Sequence, residues 1–246
     1  PFASVWAVNR TITALQRAIC GGVASAGMRA TIGVGSGIDP EDIVHSRYIV
    51  LWGTNTIVTN LHFWPFVREA QSRGARLVVV DPIRTRTAEA ADWHLQIRPG
   101  SDAALALAMM HVIVRDDLVD HDYVSRYAVG YDALVERVQQ YAPERVAGTV
   151  GLPAADIERF AREYATTTPS LLRPLIGIEH HRNGAMQFRA LGCLPVLIGA
   201  WKHRGGGQNA RRQGRIDHAE GDHGAAGGDR DDGVGQDLLS EERGRE

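Results

Sequence analysis

The chain has 246 residues, 44% of them hydrophobic, enough to bury a substantial core in one large domain or one and a half. Its formal net charge of -2, with the two signs interspersed, supplies no broad field for nucleic acid or an acidic membrane surface, so an anionic ligand has to be held locally. Cys20 and Cys193 are far apart and lack C-x-x-C spacing, which excludes a disulfide framework and a complete cysteine-rich metal site within the chain. The sequence starts at Pro1, shows no signal-peptide pattern, and has no apolar run of the roughly 20 residues that span a bilayer. It reads as a fragment whose location, cytoplasmic or periplasmic, is not legible.

In chain order, residues 10–27 carry helical apolar spacing at Ile12, Leu15, Ile19 and Val23 and predict a helix ending near Gly27. Residues 31–40 are glycine-rich and predict a loop, after which Pro40-Glu41-Asp42-Ile43 opens a short helical turn. Tyr48-Ile49-Val50-Leu51-Trp52 is a continuous apolar run bounded by Gly53-Thr54-Asn55, as in a strand covered on both faces. Residues 60–73 predict a helix stopped by Gly74, and residues 76–80 a second strand, which makes a right-handed βαβ unit. A short helix at 85–91, a strand at 93–97 and a long apolar helix at 101–115 follow. Helices are then predicted at 120–126, 131–141 and 153–166, a strand at 171–176 and a helix at 185–198. The sum is an α/β fold of three layers, a mostly parallel sheet with helices on both faces. From residue 208 the text loses its large apolar side chains and its period, so 208–246 is expected to be disordered, and the abrupt change after Gly207 suits a shifted reading frame.

Ligands of open α/β sheets sit at the carboxyl ends of the strands, so the residues just after each apolar run are the informative ones. Gly53 lets a ligand approach the backbone and Asn55 offers an amide, although Gly-x-Asn is also an ordinary turn. Asp81 can accept from a ribose hydroxyl or a purine edge, and Arg84 with Thr85 can donate to phosphate, although an Asp turn with solvated arginines is the plainer reading. Gly100 and Asp102 precede the long helix, where Asp102 can also be a simple cap. Together these three strand ends converge a carboxylate, amides and guanidiniums, which is the complement of a nucleotide. Neither G-x-G-x-x-G after the first strand nor G-x-x-x-x-G-K-[ST] occurs, so the ordinary dinucleotide and P-loop readings lack their support.

The ordered series Trp52-Gly53-Thr54-Asn55, Gly74 through Pro82, Arg84-Thr85-Arg86-Thr87-Ala88, Ala91-Asp92-Trp93-His94 and Arg98-Pro99-Gly100-Ser101-Asp102 resembles the molybdopterin oxidoreductases of the dimethyl sulfoxide reductase and formate dehydrogenase type. The likeness runs from about residue 10 to Gly207. It implies that residues 1–207 belong to a larger catalytic subunit carrying molybdenum, or tungsten, between two molybdopterin guanine dinucleotides. Gly53, Asn55, Asp81, Arg84, Thr85, Gly100 and Asp102 would then line the crevice for one guanine nucleotide. Gly177, Glu179 and His180, in the loop from Gly177 to Gly184, would approach the pterin, while the alternative is a polar surface loop. His180 and His181 are not expected to bind metal. The family takes one protein side chain onto the metal from ahead of the first strand; Cys20 lies in that neighbourhood, although the aligned position falls near Gln16 and Cys20 also continues an apolar helical spacing. Cys193 reads as core.

The resemblance further implies a small-molecule redox substrate and an iron–sulfur electron-transfer subunit, with no nucleic-acid partner and no direct membrane span. A [4Fe-4S] cluster is expected in the parent protein, its ligands lying outside this chain. The chain alone is not expected to assemble a competent site. Two other readings stay open: a non-redox nucleotide-cofactor module such as a thiamine-enzyme central domain, and an inactive truncated gene product.

Overall fold

The computed structural model describes residues 21–33 and 37–208. Cys20, Gln16 and the tail beyond Gln208 lie outside them, and so do the expectations attached to those residues. Among the described residues the sheet has five strands, all parallel: β1 (Tyr48–Trp52), β2 (Arg76–Val80), β3 (Trp93–Leu95), β4 (Ser170–Pro174) and β5 (Gly207–Gln208), in the order β3-β2-β1-β4-β5.

Each central strand is buried on both faces, and the side-chain alternation sends successive residues into two different cores. Tyr48, Val50, Trp52, Val78, Val80 and Leu172 join the larger core, while Ile49, Leu51, Leu77, Val79 and Leu171 join the smaller. The smaller core is closed by the 3₁₀ turn Pro40–His45 and by α3 (Trp64–Ser72), through Ile43, Phe63 and Val67. The larger is closed by α1 (Gly22–Ile32), α5 (Asp102–Arg115), α9 (Ala154–Thr166) and α11 (Gly184–Leu197). Helix α5 is apolar almost all round because it sits inside this layer, with α8 (Pro143–Val150) also packed on it. The three-layer α/β architecture expected from the sequence is the one observed.

Several boundaries differ from expectation, each for a local reason. Helix α1 runs through Gly27 to Ile32 and stops at Gly33, whose φ of 77° forms the left-handed C-cap. Gly27 is instead a packing residue: a Cβ there would run into the Ala185 carbonyl oxygen and stand 2.8 Å from Phe188 Cβ. The helix expected over 60–73 is shortened to α3, with Pro65 in its first turn, and is preceded by an unexpected helical turn, α2 (Thr56–Thr59). Helix α4 (Arg86–Glu89) is capped by the Thr85 hydroxyl, which accepts from Ala88 N–H at 3.2 Å. Strand β3 ends at Leu95 rather than 97, and Gln139–Tyr141 is a 3₁₀ extension of α7 (Tyr131–Val138). Helix α6 (His121–Tyr127) starts one residue after Asp120, whose carboxylate caps it. Helix α8, headed by Pro143 and closed by Gly151, was not expected at all. Strand β4 ends at Pro174; the short β5 pairs with Leu171 and Leu172 only, so the proline faces no described ladder partner on that side. Residues 177–184 are not all loop, since Ile176–Glu179 forms a helical turn, α10.

The α1–α11 contact should be intolerant of any side chain at Gly27. Gly27→Val is expected to lower the unfolding free energy by about 2 kcal/mol, measured by urea denaturation, whereas a valine at the exposed glycine-free position Arg29 should change it by less than about 0.5 kcal/mol.

Candidate functional site

The crossover from β1 to β2 covers one face of the sheet, and the chain reaches β4 after packing α5 to α9 on the other. The strand order therefore reverses between β1 and β4, and a crevice opens at their carboxyl ends. The backbone at this point is drawn together: Gly177 N–H donates to Gly53 O at 3.1 Å and Leu175 N–H to Trp52 O at 3.0 Å. Gly53 has φ 62°, and a Cβ on it would stand 3.0 Å from Ile178 Cγ1; a Cβ on Gly177 would stand 2.9 Å from Gly53 O. No side chain fits at either position. The neighbouring strand ends are tied in the same way, Gly53 N–H to Val80 O at 2.8 Å and Asp81 N–H to Leu95 O at 3.2 Å.

Polar groups converge on this rim. Asn55 caps α2, and the buried Thr87 hydroxyl of α4 donates to its Oδ1 at 2.9 Å while accepting from Ile57 N–H at 3.0 Å. That relay fixes the amide and points its N–H₂ group away from Thr87. Asp81 is 8% exposed; its Oδ1 accepts from Ile83 N–H at 2.9 Å, and its backbone carbonyl meets His94 Nε2 at 2.9 Å. Burial pushes its carboxyl above the ordinary carboxylate range, with the Ile83 bond and His94 opposing. Arg84 lies exposed on the turn between β2 and α4 with no hydrogen-bond or ion-pair partner among the described residues.

The third strand end is joined from above and below. Trp52, the last residue of β1, donates its indole Nε1–H to Asp102 Oδ1 at 2.7 Å, both side chains being buried. Burial pushes the Asp102 carboxyl up, the Trp52 bond and the His181 ring pull it down, and Asp81 pushes it up again, which places the two carboxylates and this histidine in one electrostatic neighbourhood. His181 lies over Gly100: a Cβ on Gly100, whose φ is 80°, would be 3.3 Å from its Nδ1.

Gly53, Asn55, Asp81, Gly100 and Asp102 stand beyond the carboxyl ends of neighbouring strands, with Arg84 and Thr85 on the turn after β2. Glu179 does not point out of its loop; its Oε2 accepts from Gly21 N–H at 2.6 Å and ties α10 to the start of α1. His180 is exposed, and it is His181 that reaches the rim. Trp52, Thr87, His94 and His181 were missed as site residues. From sequence, Trp52 reads as the last apolar residue of a strand and Thr87 as a member of a short helix, and both enter the resemblance only as parts of its series, without a role. Cys193 is half-buried on α11, and burial pushes its thiol up. Among the described residues no group of three or more His, Cys, Asp or Glu side chains is arranged to hold a metal ion, and no helix is long and apolar enough to cross a membrane.

A family model for molybdopterin oxidoreductases matches residues 7–239. The chain belongs to the molybdopterin oxidoreductase family. It is 41% identical over 204 residues to the probable oxidoreductase YoaE of Bacillus subtilis (strain 168), covering 83% of this chain and 30% of that protein. It is 30% identical over 242 residues to dimethyl sulfoxide reductase DmsA of Escherichia coli (strain K12), covering 84% of this chain and 30% of that one. Among solved structures it is similar to acetylene hydratase from Pelobacter acetylenicus, with a TM-score of 0.65 and 32% identity over 74% of this chain and 25% of that one. The chain therefore spans under a third of the length of these relatives. Family membership implies a molybdenum or tungsten pterin cofactor and sets aside the thiamine-enzyme reading.

The Trp52–Asp102 bond gives a test of the crevice electrostatics. A carboxyl whose pKa is raised by folding is bound to its proton more tightly in the folded state, so its burial lowers stability as pH rises between the unfolded and folded values. Trp52→Phe removes the donor and leaves that buried carboxylate unpaired. It should cost about 2–3 kcal/mol near neutral pH, and the penalty should shrink as pH falls through the raised Asp102 value; pH-dependent urea unfolding of both proteins measures it.

Proposed function

We propose that the chain, over residues 1–207, is the part of a catalytic subunit that holds one guanine nucleotide of a bis(molybdopterin guanine dinucleotide) cofactor of molybdenum or tungsten. The observation that carries this reading is the switch point between β1 and β4, where Gly53 and Gly177 join the two strand ends and Asn55, Asp81, Arg84 and Asp102 follow the neighbouring strands or head the helix beyond them. The donor set fits the group. Gly53 and Gly100 let Ile178 and the His181 ring close against the strand ends, the oriented Asn55 amide and the Arg84 guanidinium supply donors, and Asp81 supplies an acceptor suited to ribose hydroxyls or a purine N–H edge. Phosphates are served by Arg84 and by the turn that Thr85 caps. The loop holding Gly177, Glu179 and His180 lies on the pterin side, with Glu179 fixing it to α1 rather than touching the ligand.

The cofactor, when bound, supplies two-electron or oxygen-atom-transfer chemistry. This chain's residues bind and orient it: the Asp102–Trp52 pair fixes the start of α5, Thr87 fixes Asn55, and the two apolar cores keep water from the back of the cleft. By their printed names the relatives reduce dimethyl sulfoxide or hydrate acetylene, and formate oxidation and the reduction of sulfur or N-oxides suit the same cofactor. Electrons are exchanged with an iron–sulfur partner, received from it for a reduction and passed to it for an oxidation, and a [4Fe-4S] cluster belongs to the parent protein. The metal side chain comes from the segment containing Cys20, and the chain by itself does not turn over.

The test is cofactor content. The full-length protein should contain about one molybdenum or tungsten and two guanine nucleotides per subunit by mass spectrometry of metal and of acid-released nucleotide. Arg84→Gln and Asp81→Ala should each lower bound guanine nucleotide severalfold while leaving the circular dichroism spectrum unchanged. Full nucleotide content in both variants would sink the assignment of this crevice.

A further inference from the structure

A cavity of about 860 Å³ opens between the carboxyl end of α1, helices α6 and α7 with the 128–130 link, and the second half of α11. None of the crevice residues lines it. Along α11 it begins near Arg189 and reaches Leu197, so its deepest wall is about 18 Å from the helix start that adjoins the crevice. Its walls are apolar and aromatic: Tyr123, Tyr127, Tyr131 and Trp201, with Val196 and Leu197. The rings of Tyr123 and Tyr127 pack at 4.9 Å, and Tyr127 stays 69% exposed at the mouth. Such a volume is within the ~300–1,000 Å³ of small-molecule sites, and such walls are their usual material.

The polar complement is one-sided. Arg137 and Arg189 both line the cavity, and no aspartate or glutamate does. Arg137 has no hydrogen-bond or ion-pair partner among the described residues, and the nearest polar contact of Arg189 is Met186 Sδ at 4.0 Å. By contrast Arg73, Arg115, Arg126, Arg159 and Arg162 are each paired with a carboxylate. Two guanidiniums at the edge of a half-dry aromatic cavity favour a carboxylate, which they can grip with charge-assisted bonds, and phenol rings favour a flat apolar body.

We infer that this cavity is a second binding site, independent of the crevice, for a small planar organic acid: the ring lies among the tyrosines and the carboxylate is held by Arg137 and Arg189. A polypeptide segment packed there would instead need only apolar contact and would leave both guanidiniums without function.

The test uses the full-length protein and 2-naphthoate as the probe, with uncharged 2-naphthamide as its control, in isothermal titration calorimetry. Saturable naphthoate binding is expected, at least tenfold tighter than the amide, and Arg137→Gln with Arg189→Gln should weaken it at least tenfold without affecting the amide. Ala133→Trp, which fills the cavity from an exposed position and leaves both arginines in place, should abolish binding of both probes. Cys193 lies in the wall, so naphthoate should slow its alkylation by iodoacetamide several-fold, read by peptide mass spectrometry. No binding, equal binding of acid and amide, or binding that survives the arginine and tryptophan variants with Cys193 unprotected overturns the inference; the first outcome is the one expected if polypeptide fills the cavity.

Discussion

The backbone contact between Gly53 and Gly177 is the constraint on which the crevice depends. Strands β1 and β4 are hydrogen-bonded neighbours, yet the chain leaves them toward opposite faces of the sheet, and their ends must separate over one or two residues. A side chain at either glycine would force them apart sooner, because the space is already occupied by Ile178 on one side and the Gly53 carbonyl on the other. With both positions bare, the strands stay paired to their last residue and the opening begins abruptly.

Those rim groups are held by an electrostatic compromise. Asp81 and Asp102 are both buried, both raised by that burial, and close enough to repel one another. Asp81 is relieved by the Ile83 N–H and the His94 ring, Asp102 by the Trp52 indole, its own backbone N–H and the His181 ring. Two buried carboxylates are thus held by neutral donors and imidazoles, with no guanidinium or ammonium paired to either among the described residues. This is the pattern of a site organised for something other than its own stability, in contrast to the Arg115–Asp116–Glu158–Arg162 lattice on the helical surface, where every charge finds its opposite within the fold.

The sheet was legible because its signal is strong and local. Continuous apolar runs of five residues in β1 and four in β2, ended by glycine or aspartate, mark strands buried on both faces, and the first two strands fall at the positions read from those runs. The convergence of Asn55, Asp81 and Asp102 followed from topology alone, since parallel strands place all their carboxyl ends on one edge. Long-range packing was not legible. Gly27 reads as a helix stop because glycine usually is one, and only the approach of α11 gives it a different purpose. Helix α8 carries a proline start and a glycine stop, but it is short and its apolar face is narrow. Residue 208 is a different failure: Gln208 is fully buried in β5, beside Gly192 and Thr31, and neither atom of its amide has a partner. The fold provides an apolar niche there, and the sequence places an amide in it just where its composition changes.

The histidine pair shows why a resemblance and a structure assign different residues to one loop. Glu179, His180 and His181 follow β4 in a run of polar residues, and from sequence the first two are natural ligand contacts because the family pattern places a polar pair at the pterin. In the fold, Glu179 is drawn inward by Gly21 N–H, which turns the helical end of α10 so that His180 faces solvent and His181 faces Gly100. Rotation by one residue on a helical turn is about 100°, enough to exchange a surface side chain for a rim side chain. The choice between neighbouring residues is therefore set by a hydrogen bond to a residue 158 positions away in the chain, from Gly21 to Glu179. No spacing within the loop encodes it. The same bond anchors α1, whose far end forms one wall of the aromatic cavity, so a single partly buried contact orders both the loop after β4 and the helix that lines that cavity.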